Sequence, residues 1–358
     1  MTIIISPYSI GPKVNHAGGV FEYYRILNLS KQDKLKLYAF DFENTHVNKV
    51  DFDRLKQNQN VILDFFVKFF PFLYVFYFIK ELKKIQINKD DTVYIEWGEF
   101  ALSYLFIKSR RKNLVLHDVL SRAIYSQYKS EKILSRKALS LFRYVFVFIY
   151  ELLIYEKYEK IFVYSEIDAL YLQEKIKIKK SKIIVQKPIL FKEGKLNNKK
   201  GTLTISGNFQ RTNNLKSLIF IIEKVLPRVK SNYILKVIGE IPEVFKKKYS
   251  NTKITFTGKV ENYENEIKTS YINLAPLFIS GGIFKKILDS MKYGIPTIST
   301  SIGAESFSNE VKNNILIADD ETVTAKIIDT LLLEDLYYKN CSSKSEQCIQ
   351  QNFNFYNE

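Results

Sequence analysis

The run from Ala275 to Thr300 admits few conformations. Residues 272–277 are a short apolar stretch of the kind that forms a buried strand. Ser280, Gly281 and Gly282 follow as a turn in which backbone can approach a ligand closely, and Ser280 is also placed to cap a helix. Phe284, Ile287, Leu288 and Met291 then recur at spacings of three and four, which is one face of a helix. Gly294 stops that helix, Pro296 keeps it stopped, and residues 295–299 begin a second strand.

The expected helix start would gather free N–H groups and the positive end of the helix dipole, a combination suited to a diphosphate. Lys286 and Asp289 are three apart and share a helix face. A lysine there can neutralise phosphate, and a carboxylate one turn on can accept from ribose hydroxyls. The same spacing also fits an ordinary helix carrying a surface Lys–Asp pair.

Short apolar runs separated by helix-length segments recur along the chain. Strands are expected at 2–6, 35–40, 92–95, 113–116 and 161–165, and again at 201–206, 234–239, 254–258, 272–277, 295–299 and 315–318. This alternation implies an α/β protein with doubly wound parallel sheets. At 358 residues the chain is long enough for two domains. Lys192 to Lys200, charged and Asn/Lys-rich, is the candidate linker. The expected organisation is a Rossmann-like domain over 1–190, a linker over 191–200, a second Rossmann-like domain over 201–335, and a tail over 336–358 that can return to the first domain.

Fifty-four Lys and Arg against 38 Asp and Glu give a net charge of +16. That balance favours nucleotide phosphates or an anionic membrane surface as partners. No nucleic acid is expected, because the basic excess is dispersed and no reader motif accompanies it. Cys341 and Cys348 are the only cysteines and have no neighbours of metal-ligand type, so they read as free thiols in a reducing compartment. The first residues resemble a buried strand rather than a basic leader, and a cytoplasmic protein is expected. Two apolar segments, Phe69–Ile79 and Leu139–Ile154, fit aromatic helices lying on a bilayer or packed inside a domain. Pro71 interrupts the first, and Arg143 and Glu151 interrupt the second, so neither reads as a span.

Polar candidates collect at strand ends. Asn15-His16-Ala17-Gly18-Gly19 feeds a helix pattern from Val20, and the glycine pair can hold an anion or admit a sugar. Glu22, on the first turn, fits as a dipole partner. Glu96-Trp97-Gly98-Glu99 ends one expected strand and His117-Asp118 ends the next, where ligands of open parallel sheets gather. Ser121, Arg122 and Tyr125 continue that loop toward an acceptor.

These residues together resemble family 4 glycosyltransferases of the GT-B fold, in the branch with a glycine-rich Gly-Gly-x-x-x-Lys-x-Leu-Glu motif. The match runs through Pro276, Leu277, Gly281, Gly282, Lys286, Leu288, Asp289, Met291, Gly294, Pro296, Thr300, Gly303, Ala304 and Glu305. Asp289 replaces the usual glutamate. Ser165 and Asp168 fit a Val-x-Ser-x-x-Asp segment, and Gly207, Asn214 and Val225-Leu226-Pro227 fit the opening of the family's second domain. The arginine and lysine that usually clamp the diphosphate after that glycine are absent from their offsets; Arg211 and Lys216 lie nearby but displaced.

The resemblance implies two Rossmann-like domains facing across a cleft and a retaining transfer from a nucleotide-sugar. The acceptor would be a glycan or a polyprenyl-diphosphate-linked glycan, in bacterial surface polysaccharide synthesis. His117, Asp118 and Lys286 would serve catalysis. Gly18, Gly19, Gly207, Arg211, Asn214, Ser280, Gly281, Gly282, Ile283, Lys286 and Asp289 would bind the donor. No metal and no cofactor is expected. Two other readings stay open: a sugar-nucleotide epimerase or phosphorylase on the same architecture, with Glu96, Glu99 and Asp118 as acid–base candidates, and a non-catalytic scaffold that kept the fold.

Overall fold

A computed structural model describes residues 1–14, 16–31, 34–43, 50–58, 60–250 and 252–356. Asn15 of the first glycine loop lies outside them. The chain divides into one unit of Met1–Ile189 with Gly281–Ile283, and a second of Leu190–Ser280 with Phe284–Glu358.

The first unit carries strands β1 (Thr2–Ile10), β2 (Leu35–Phe42), β3 (Val50–Arg54), β4 (Thr92–Glu96), β5 (Arg111–Leu116), β6 (Lys160–Val163) and β7 (Ile183–Val185). They form one seven-stranded sheet in the order β3-β2-β1-β4-β5-β6-β7, with parallel pairings throughout. Its helices are α1 (Ala17–Ser30), α2 (Val61–Val67), α3 (Ile79–Leu82), α4 (Leu120–Ser130), α5 (Leu134–Ile154) and α6 (Glu166–Glu174). Ile3, Ile5, Val93, Ile95, Leu114, Leu116, Ile161 and Val163 from four strands make the core. Strands covered on both faces need such near-continuous apolar runs.

Strand β3 falls where the sequence reads as a polar loop. Its residues alternate with acids, and Lys36 of β2 ties Asp51 and Asp53 to it at 2.6 and 2.8 Å. This is an edge strand marked by charge rather than by hydrophobicity. Residues 60–84, whose aromatic pattern reads as one helical region, are instead α2, a 3₁₀ stretch Pro71–Phe78, and α3, because Pro71 cannot donate within a continuing helix.

The second unit pairs β8 (Thr202–Ser206), β9 (Ile234–Ile238), β10 (Ile254–Gly258), β11 (Ile272–Ala275), β12 (Thr297–Ser299) and β13 (Leu316–Ile317) in the order β10-β9-β8-β11-β12-β13. All of these pairings are parallel. Its helices are α7 (Thr212–Phe220), α8 (Glu243–Tyr249), α9 (Tyr263–Ile267), α10 (Lys285–Met291), α11 (Ser301–Ala304), α12 (Asn309–Lys312), α13 (Glu321–Leu333) and α14 (Asp335–Asn352). α7 widens into a π turn at Ile221–Val225 and closes in a 3₁₀ turn at Leu226–Arg228, where Pro227 forbids further helix.

Two expectations change here. The candidate linker is tied into the second unit: Asn197 and Lys199 donate backbone N–H to Lys268 and Thr269, and Tyr293 donates to the Glu193 carbonyl at 2.9 Å. The tail, expected to reach toward the first domain, is the 18-residue α14 of the second unit. Tyr338 stacks on Tyr271 at 3.8 Å between ring centroids and accepts from Asn198 at 2.6 Å.

One close approach fixes the β8–β9 corner. Gly239 has φ +124°, and a Cβ there would lie 2.0 Å from the Gly207 carbonyl oxygen. Gly239→Ala should therefore destabilise the protein by roughly 2–3 kcal/mol, read as a lower urea midpoint. An unchanged midpoint would mean that the corner relaxes freely.

Candidate active site

Each sheet reverses its strand order at its middle, beside β1 and β4 in the first unit and beside β8 and β11 in the second. Ligands of such sheets bind beyond the carboxyl ends of strands at these points.

In the first unit, His117 follows β5 and lies between two rings. Trp97 stacks on it at 4.4 Å between centroids and Tyr164 at 5.3 Å. Trp97 holds φ +68°, a conformation rare for a bulky residue. Gly18 makes room for this arrangement, since a Cβ there would sit 3.0 Å from both His117 Nδ1 and Trp97 Cζ2. Gly19 gives its backbone N–H to Nδ1 of His16, which caps α1, at 3.0 Å.

Behind His117 is a buried ionic cluster. Arg25 bonds both oxygens of Glu22, at 2.8 and 2.7 Å, and Glu96 Oε1 at 2.6 Å. Glu22 and Glu96 are both fully buried. Burial pushes their carboxyls above the usual range, and Arg25 pulls them back. Glu96 Oε2 lies 3.3 Å from His117 Nε2. Burial holds the imidazole down near a pKa of about 4, so it is neutral at pH 7. With Nε2–H facing Glu96, Nδ1 is left as an acceptor, and it has no hydrogen-bond partner among the described residues. Glu22, Glu96 and His117 bring ligand-type atoms within 4.8 Å of one another, but the Arg25 guanidinium already supplies the cation there, so the cluster does not fit a metal. Glu22 is thus an ion-pair partner rather than a solvated dipole partner.

Asp118 has its carboxyl raised to about 6, by burial first and then by Glu99 and Asp168. Glu99 accepts from Tyr8 at 2.6 Å. Ser121 and Arg122, expected to reach an acceptor, are turned to structural use. Ser121 gives its N–H and hydroxyl to Glu151, and Arg122 pairs with Asp168 at 2.7 Å. The Asp168 backbone N–H in turn is capped by Ser165.

The second unit gathers its polar groups where β8 ends. A Cβ on Gly207 would meet Asn214 Cγ at 3.1 Å and Lys286 Nζ at 3.2 Å. Asn214 donates to the Asn208 carbonyl at 2.9 Å and accepts from Lys286 Nζ at 3.2 Å. The Lys286 ammonium has no carboxylate partner among the described residues. Burial, then the charge of Arg211, lowers its pKa to about 8. Asn273, inside the sheet, donates to the Lys286 carbonyl at 3.3 Å and fixes the start of α10.

The glycine turn is built differently from the expectation. α10 starts at Lys285, its cap position is Phe284, and no side chain caps it, so Ser280 does not serve there and Gly281–Gly282 is not the helix start. Gly281, Gly282 and Ile283 group with the first unit. There the Gly281 carbonyl accepts from Arg122, and a Cβ on Gly282 would lie 1.9 Å from the His117 carbonyl oxygen. Asp289 does not share an open face with Lys286. It is buried between Lys285 at 2.6 Å and Lys292 at 3.3 Å, and Lys292 also reaches Glu264 at 2.8 Å. The Glu22–Arg25–Glu96 triad and the ring of Tyr164 were not singled out from sequence; the i, i+3 spacing of Glu22 and Arg25 was the available signal.

Residues 200–334 match the family model described as glycosyl transferases group 1. A Klebsiella pneumoniae protein described as an uncharacterized 44.6 kDa protein in the cps region is 27% identical over 298 residues, covering 76% of this chain and 73% of that protein. Among solved structures, WaaG, a glycosyltransferase involved in lipopolysaccharide biosynthesis, aligns with a TM-score of 0.69 at 9% identity, over 98% of this chain and 95% of that one. Anabaena HepE, in complex with UDP and glucose, aligns with a TM-score of 0.70 at 11% identity, over 99% and 96%. TarM aligns with a TM-score of 0.67 at 10% identity, over 98% and 96%. The fold is the two-domain α/β GT-B fold, and the chain is a glycosyltransferase.

Arg25→Met should destabilise the protein by about 3–5 kcal/mol at pH 8 and by less at pH 5. Without the guanidinium, Glu22 and Glu96 have folded-state pKa values further above their unfolded ones, so stability is lost as pH rises through that window. Urea midpoints at the two pH values test this, and equal losses at both would refute the pairing.

Proposed function

We propose that this chain is a retaining, family 4 glycosyltransferase of the glycine-rich branch. It moves a sugar from a nucleotide-sugar to a glycan, or to a glycan linked to polyprenyl diphosphate, in the synthesis of a bacterial surface polysaccharide. The observation that carries the donor assignment is Lys286, a half-buried ammonium with no counter-ion among the described residues, beyond the carboxyl end of β8. A partly desolvated cation lacking its anion is unfavourable, and a diphosphate supplies negative charge on two phosphates. The complex of HepE with UDP and glucose, the role of WaaG in lipopolysaccharide biosynthesis, and the cps-region relative support the same class of donor and product.

In this reading a glycosidic bond forms between the anomeric carbon and an acceptor hydroxyl oxygen while the bond from that carbon to the diphosphate breaks, and the hydroxyl proton passes to the departing diphosphate. The negative charge then grows on the diphosphate. Lys286, held by Asn214, is preorganised to stabilise it without a metal. The close backbone at Gly207 admits the phosphates. Asp289, locked between Lys285 and Lys292, is a positioning residue for α10. His117, neutral and held between two rings at the carboxyl end of β5, is the residue assigned to orienting the sugar. The protein would act in the cytoplasm, where nucleotide-sugars are available to it.

Thermal stabilisation by UDP, GDP, ADP and CMP tests the donor site. One nucleotide at about a hundredfold over its Kd should add about 2.7 kcal/mol, and Lys286→Met should abolish the gain. If no nucleotide stabilises the wild type, the donor reading fails and a scaffold role replaces it.

Affinity should also depend on pH through Lys286. Above its pKa of about 8 the side chain in the free protein is a neutral amine and must take up a proton to meet the diphosphate. The Kd should therefore be about tenfold weaker at pH 9 than at pH 7. Calorimetry should find this slope in the wild type and a flatter one in Lys286→Met.

A further inference from the structure

The first unit presents an apolar surface that nothing in the unit covers. From Ala138 to Leu153, α5 exposes Leu141, Phe142, Val145, Phe146, Ile149 and Leu153, among others, and no exposed residue in that span is charged. Arg143 and Glu151, the charges within it, are half-buried and buried. α2 has no buried residue at all; Ile62 is 72% exposed, and Phe65 and Phe66 are exposed with it. The two faces are one patch. Phe70, just after α2, meets Phe142 and Phe146 at 6.0 and 5.2 Å between centroids, and Phe65 meets Phe69 at 5.2 Å. A continuous apolar surface of this kind marks a binding face.

Charge identifies what covers it. The approach to α5 carries Lys129, Lys132, Arg136 and Lys137 against the single acid Glu131. Lys157 follows the other end between the exposed Glu156 and Glu159, and Lys68 closes α2, which also carries the exposed Asp64, so the rim is basic on balance and most strongly so at the start of α5. An apolar face rich in phenylalanine and leucine, rimmed by lysine and arginine, is matched by acyl chains beneath anionic head groups. A second copy of the chain is a poor match. Two like patches would bring the same basic rims together on molecules of net charge +16.

The helix lies along such a surface rather than through it. By length and composition the segment Leu134–Lys157 could cross a bilayer. Its inner side, however, is tied to the unit by polar bonds. Tyr150 donates to the Gly98 carbonyl at 2.8 Å, and Glu151 accepts from the Ser121 backbone at 3.2 Å and from Tyr155 at 3.3 Å. Those groups would be stranded in hydrocarbon if the helix left the unit.

We propose that the exposed faces of α2 and α5 dock the protein on an anionic lipid bilayer, with the phenylalanines entering the interface and the basic rim contacting head groups. The inference rests on the patch and its charges, not on the transfer reaction, although a lipid-linked acceptor would be presented there.

Flotation of the full chain with phosphatidylcholine vesicles, with and without phosphatidylglycerol, tests it at low and high salt. Vesicles containing phosphatidylglycerol should carry the wild type, and salt should weaken the association. Phe142→Ser/Phe146→Ser and, separately, Lys132→Glu/Arg136→Glu should each lower the bound-to-free ratio by about tenfold or more. Both variants should keep the wild-type melting temperature and nucleotide response, which separates loss of docking from loss of fold or of the donor site. Failure of the wild type to float at low salt would overturn the proposal. So would a dimer by light scattering that the phenylalanine substitutions dissociate.

Discussion

Parallel pairing is the constraint from which the rest follows. A parallel strand can be reached only by a crossover that returns the chain to the starting edge. Every strand therefore ends on the same side as its neighbours, and the loops that follow them meet there. Reversal of order beside β1 and β8 parts two of those loops and leaves space between them. Gly18, Trp97 and His117 around one reversal, and Gly207, Asn214 and Lys286 around the other, are neighbours for this reason alone. None lies close to all its partners in sequence.

The two sites treat buried charge in opposite ways. Arg25 is fully compensated, with two carboxylates holding its guanidinium. It therefore acts as a fixed framework that sets Glu96 and, through it, the face His117 presents. Among the described residues, Lys286 Nζ is left with a single amide oxygen from Asn214. A framework charge stabilises the fold only while its partners stay; an uncompensated one stabilises whatever anion arrives. The difference separates residues that shape a site from one that meets its ligand.

Much of this was legible in the chain. Apolar runs such as Ile3–Ile5 and Ile272–Ala275, buried on both faces, announce themselves by composition. His117 stood out because it ends a strand, Lys286 by its spacing after the glycine pair, and Gly207 and Asn214 through the family resemblance. β3 was missed because its alternating acids look like a loop until Lys36, fifteen and seventeen residues before Asp51 and Asp53, is seen to pair with them. The start of α10 was misplaced by four residues' worth of glycine-rich turn: Phe284, not Ser280, takes the cap position, and no local rule favours a phenylalanine there. Partners of Ser121, Arg122 and Asp289 depend on which side of a helix faces the core, which spacing alone leaves undecided.

The central place of β1 has a consequence for how the chain is made. Thr2 pairs with Leu35 on one side and with Thr92 on the other. During synthesis from the N-terminus, one neighbour emerges early and the second only after the aromatic segment between them. Until then the inner edge of β1 offers unpaired backbone beside Ile3, Ile4 and Ile5, which are wholly buried in the finished protein. Slow, non-local closure of this kind leaves a nascent chain open to misassociation. The same strand order that builds the binding end of the sheet thus makes the early chain dependent on protection while it waits for its partner.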